Sequence, residues 1–80
     1  KTLTFVLQIE DEPGFLSEIL NVIAEYNANI LTIHQSIPIN GVATLTLSVE
    51  VLADTGDISN MIDTIEGKSG VQYLKILARE

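Results

Sequence analysis

The sequence predicts an α+β fold. It is a ferredoxin-like βαββαβ arrangement, with a four-stranded antiparallel sheet and both helices on one face. Three observations carry this. Period-two apolar alternation recurs in separated stretches. It is interrupted twice by helical i, i+3, i+4 stripes. One pair of alternating stretches is joined by a short Pro/Asn/Gly turn.

The first stretch, residues 2–10, places Leu3, Phe5, Leu7 and Ile9 on one side and Thr2, Thr4, Val6 and Gln8 on the other, as a half-buried strand does. Over residues 14–27 the period changes. Leu16, Ile19, Leu20, Ile23 and Asn27 form a helical stripe. Pro13 suits the first turn of this helix, where a missing N–H costs nothing, and acids just ahead of it suit the positive helix end. Asn27 or Asn29 is the expected left-handed residue at its end.

Residues 30–37 read as the second strand, which Pro38 stops. "PING" turns the chain into residues 42–51, where Ala43, Leu45, Leu47, Val49 and Val51 alternate with Thr44, Thr46, Ser48 and Glu50. Asp54 or Thr55 is the expected cap of the second helix, whose stripe is Ile58, Met61, Ile62 and Ile65, with Gly67 as its stop. A last strand covers residues 71–78. One sheet face is then apolar and meets the helices. The other carries Thr4, Gln8, Thr32, His34, Ser36, Thr44, Thr46 and Ser48 and faces solvent.

Eighty residues suggest one domain, 1–80, and a 46% hydrophobic content supplies a core. The chain starts at Lys1 rather than Met and reads as a C-terminal fragment of a longer protein. Without cysteine there is no disulfide or thiolate metal site, which fits a reducing, cytoplasmic setting. No apolar run is long enough for a membrane helix. The net charge is −7, with four bases at Lys1, Lys68, Lys75 and Arg79. That balance disfavours nucleic acid and anionic membranes as partners. The acids show no metal-loop spacing, and no cofactor is implied. His34, with Thr32 and Ser36 on its strand, reads as a solvated surface histidine.

What remains is "EDEPGF", residues 10–15, and Asn29. Free N–H groups at a helix start hold a carboxylate, Asp11 holds an ammonium group, and Asn29 offers both donors and acceptors. Together they suit a zwitterion such as a free amino acid. Asp-x-Pro-Gly is equally a plain helix-start turn.

"IEDEPGFLSEILNVIAEYNANI" resembles the opening of an ACT domain, through Asp11, Pro13, Gly14, Leu16, Asn29 and Ile30 in order. The resemblance runs over essentially the whole chain. "ILTIHQSIPINGVATLTLSVEV" is similar to the C-terminal ACT domain of small bacterial proteins, some tied by name to phenylalanine biosynthesis or chorismate mutase. The regulatory ACT tail of homoserine dehydrogenase is the next resemblance.

The family implies a non-catalytic, allosteric module that binds amino acids. It pairs side by side as a homodimer through the edge strand, here 30–37. The matching ligand positions are Asp11, Glu12, Pro13, Gly14, Phe15, Leu16 and Asn29. Serine-binding members tend to carry His and Asn where this chain has Ile9 and Asp11, which argues against serine. A ligand-free assembly module is the alternative. Chorismate mutase chemistry would need positioned cations for two carboxylates and an ether oxygen, and four bases are few for that.

Overall fold

The computed structural model describes residues 1–80. In chain order it contains β1 (Thr2–Glu10), α1 (Phe15–Glu25), β2 (Asn29–Gln35), β3 (Val42–Glu50), α2 (Ile58–Glu66) and β4 (Val71–Arg79). The sheet is antiparallel throughout, with strand order β2-β3-β1-β4. Both helices cover the same apolar face, and the fold is the ferredoxin-like βαββαβ plan the sequence predicts.

The core follows from alternation. Leu3, Phe5, Leu7 and Ile9 of β1 lie opposite Val49, Leu47, Leu45 and Ala43 of β3, and all eight are buried. Ile19, Val22 and Ile23 from α1 and Met61, Ile62 and Ile65 from α2 close over them. Val22 lies outside the predicted stripe, whereas Leu16 and Leu20 are only half-buried against the core. The contact face of α1 is therefore centred on 19, 22 and 23. On the open face, the Thr4 and Ser48 hydroxyls share a 2.9 Å hydrogen bond across β1 and β3.

Several boundaries differ from the sequence reading. Pro13 does not enter the helix. Glu12, Pro13, Gly14 and Phe15 form a turn closed by the Phe15 amide on the Glu12 carbonyl at 3.2 Å, and Gly14 has φ 83° and ψ −11°. These values are those of a type II turn, which takes Pro then Gly at its centre. Asn29 is strand rather than cap, and Asn27 alone turns left-handed, at φ 58°. β2 stops at Gln35, two residues before the expected end at 37.

The cap of α2 is Asp57, whose Oδ1 accepts from the Asn60 amide at 3.3 Å, and not Asp54 or Thr55. Thr55 is engaged elsewhere. Its Oγ1 donates to the Asn27 carbonyl at 2.8 Å and accepts from the Leu52 amide at 2.7 Å, tying the α2 approach to the end of α1.

The β2–β3 connection narrows to a two-residue turn. Asn40 and Gly41 both have positive φ, and Ile39 and Val42 exchange backbone hydrogen bonds of 2.9 and 3.0 Å. This is the primed turn that matches strand twist.

Removing the Leu47 side chain tests where the stability resides. Leu47→Ala lowers unfolding free energy by about 2–5 kcal/mol. Thr46→Val on the open face changes it by about 0.5 kcal/mol or less. Urea unfolding followed by circular dichroism measures both.

Candidate functional site

The β1–α1 turn is held from both sides. The Asp11 amide donates to the Gly41 carbonyl at the tip of the β2–β3 hairpin, 2.8 Å away. The Glu10 amide donates to the Gly70 carbonyl at the entry to β4, 2.9 Å away. The Phe15 ring lies over Gly70, so closely that a side-chain carbon there would stand 2.7 Å from the ring tip. The turn thus gets its position from three strands, and α1 starts from a fixed point.

A cleft of about 290 Å³ opens here, lined by Glu12, Pro13, Gly14, Phe15 and Glu18. Glu18 is the lining residue that the sequence reading missed. It lies one helical turn past Gly14, and its amide donates to the Gly14 carbonyl at 3.2 Å. Leu16 turns away and packs half-buried against the core. Asp11 is exposed beside the cleft and makes no side-chain hydrogen bond.

No side chain caps α1. The Gly14, Leu16 and Ser17 amides have no partner within the chain. They can receive an acceptor from a ligand. Glu12 and Glu18 line the cleft, and Glu10 and Asp11 lead into it along the chain, so the turn is rich in acids. Like charge works against a carboxylate at that point and favours an ammonium group beside it.

Asn29 is not part of this cluster. It pairs with Glu50 at the far end of β3, and its Nδ2 donates to Glu50 Oε1 at 3.4 Å. The turn adjoins Val42, the other end of the same strand, through the Glu10↔Val42 pair. Eight residue steps of β-strand separate the two, or about 26 Å. One chain therefore does not bring Asn29 to Asp11.

β2 is an edge strand, and it is unlike the other edge. Asn29–Gln35 carries no acid, lysine or arginine. It exposes Leu31 and Ile33, followed by Ile37 at 85% and Ile39 at 73% exposure. β4 carries Lys75 and Arg79, and its register against β1 breaks twice. Charge and irregular register are how sheets block edge pairing. β2 too has one register shift, between Ile30 and Thr32, and β4 too exposes apolar side chains, at Tyr73 and Leu77, so it is the lack of acid, lysine and arginine that sets the β2 edge apart.

The comparisons with known proteins agree with this architecture. Residues 2–75 match the ACT domain family. An ACT domain-containing protein of Lachnoclostridium phytofermentans is 58% identical over 80 residues, which are 100% of this chain and 55% of that protein. The chain spans about half the length of the curated relatives it matches. The ACT domain from GTP pyrophosphokinase of Chlorobium tepidum superposes with a TM-score of 0.74 at 25% identity, over 95% of this chain and 96% of that one. The regulatory subunit of aspartate kinase from Thermus thermophilus shares the fold, with a TM-score of 0.67 at 15% identity over 92% of this chain and 49% of that one.

Two substitutions separate scaffold from surface in this turn. Gly14→Ala forces a side chain into left-handed φ and costs about 1–2 kcal/mol. Asp11→Ala removes an exposed, unbonded carboxylate and leaves stability within about 0.5 kcal/mol. Thermal unfolding of the two variants checks both values.

Proposed function

For this chain, which belongs to the ACT domain family, we propose an amino-acid sensor that works as a β2-paired homodimer. The observation that carries this reading is the placement of Asn29 and Asp11 at opposite ends of the sheet. Antiparallel pairing of two β2 edges about Thr32 sets Asn29 of one chain against Gln35 of the other. Gln35 lies at the hairpin end, where Asp11 meets Gly41. The pairing thus carries the partner's Asn29 to the turn end of the first chain, and the ligand set is divided between subunits.

In this site the effector's ammonium group is drawn by Asp11 and the neighbouring acids. Its carboxylate is received by the unpartnered amides of Gly14, Leu16 and Ser17, the ammonium group held among the acids offsetting their repulsion, with the partner's Asn29 bridging. Glu12, Pro13 and Phe15 shape the cleft. Ile37 and Ile39, exposed beside the hairpin tip, favour an effector with an apolar side chain. Phenylalanine is the first candidate, in keeping with the link to its biosynthesis that the sequence resemblance implies.

A ligand-free assembly module is the second reading. The apolar β2 edge supports it independently, because edge pairing alone would account for that surface.

A circular-dichroism melt with each amino acid in turn separates the two. An effector at about 100 times its dissociation constant stabilises the dimer by roughly 2.7 kcal/mol. In a chain this short the shift is on the order of 10 °C. The N-acetyl derivative of the same amino acid, lacking the ammonium charge, gives no shift. A folded dimer that responds to no amino acid supports the assembly module instead.

Leu31→Lys introduces a charge onto the β2 edge. Sedimentation then reports a monomer at concentrations where the unaltered chain is a dimer, and effector binding is lost with the dimer. An unaltered chain that sediments as a monomer at micromolar concentration contradicts both readings.

A further inference from the structure

The larger cleft of the molecule lies away from the turn, at the other end of the sheet. It measures about 410 Å³ and is lined by Lys1, Thr2, Leu3, Val51, Ile58, Arg79 and Glu80. Leu3 is buried, Val51 and Ile58 are half-exposed, and Leu52 adds an exposed apolar side chain next to Val51. Two of the chain's four bases, Lys1 and Arg79, line it against one acid, Glu80, although the net charge of the chain is −7. The sensor reading leaves this cleft unused.

Both ends of the described chain lie in its wall. The Thr2 amide donates to the Glu80 carbonyl at 3.2 Å, the Glu80 amide returns to the Thr2 carbonyl at 2.7 Å, and the Val51 amide donates to the Lys1 carbonyl at 2.8 Å. In the curated relatives, the part matching this chain is about half of the length. Any polypeptide adjoining such a domain enters or leaves beside Lys1 or Glu80, and so at the mouth of this cleft.

We propose that the cleft is the docking site for the polypeptide that adjoins this domain in the full-length gene product. The occupant places apolar side chains on Leu3, Val51 and Ile58 and acidic ones against Lys1 and Arg79. Tethering makes this association intramolecular, so a small apolar contact suffices to hold it. Such docking also gives the paired sheet a mechanical link to the rest of the protein. This proposal does not depend on the sensor reading.

The test uses the full-length gene product with labelled Ile and Val methyl groups. Nuclear Overhauser contacts are expected from the Ile58 and Val51 methyls to residues outside 1–80 of the same chain. A soluble gadolinium chelate should relax these methyls severalfold less than those of Ile37 and Ile39. Arg79→Glu should weaken the docking and raise relaxation at Ile58, with the methyls of the buried Ile19 and Val49 unchanged as the control for folding. Three results overturn the proposal. The first is contacts confined to residues 1–80, or made to a second copy or a small ligand. The second is a gene product with no residues beyond these 80. The third is an Arg79→Glu variant whose Ile58 relaxation matches the unaltered chain.

Discussion

The register between β1 and β3 is the constraint on which the rest of the structure depends. Leu3, Phe5, Leu7 and Ile9 meet Val49, Leu47, Leu45 and Ala43 one for one, and each is buried. A slip of one residue would turn all of β1's large apolar groups to the open face, so burial of both strands fixes the register strongly. The same register ends at Glu10↔Val42, which puts the Asp11 amide on the Gly41 carbonyl. The position of the candidate site is thus a consequence of core packing. The left-handed Gly14 then lets the chain leave β1 and begin α1 within four residues.

The sheet's two edges differ in charge. β4 carries Lys75 and Arg79, while β2 carries no acid, lysine or arginine and exposes Leu31 and Ile33. A backbone edge with free hydrogen-bonding groups and exposed apolar side chains is a pairing surface. If β2 pairs with itself, each turn gains a neighbour it lacks in one chain. Sensing and assembly then share one interface: an effector that bridges two subunits stabilises the pair by its binding energy.

Most of the fold was legible in the sequence because its elements announce themselves by period. β1 and β3 alternate without a break, and the α2 stripe of Ile58, Met61, Ile62 and Ile65 falls on the core. The misplaced boundaries share one cause. Asp54, Thr55 and Asp57 are all good caps locally, and only the hydrogen bond from Thr55 to the distant Asn27 carbonyl leaves the role to Asp57. Pro13 likewise fits a helix start or a type II turn, and the backbone anchors at Gly41 and Gly70 select the turn. In the site, the residues adjacent in sequence were legible as a group. The separation of Asp11 from Asn29 was implicit in the βαβ order, because the helix runs back along the sheet and β2 starts at the end opposite the turn, but grouping the two by motif passed over it. Glu18 was missed because one helical turn separates it from the motif that drew attention.

Complementation between two defective chains tests the shared site most directly. Asp11→Ala and Asn29→Ala each remove one half of both sites in their own homodimer. Mixed in equal amounts and allowed to exchange, they form heterodimers that contain one intact site, with Asp11 from one chain and Asn29 from the other. Calorimetry with the effector should show neither variant binding alone and the mixture recovering about a quarter of the unaltered stoichiometry, as random exchange about a two-fold axis requires. A mixture that binds no more than its separate components would contradict a site divided between subunits.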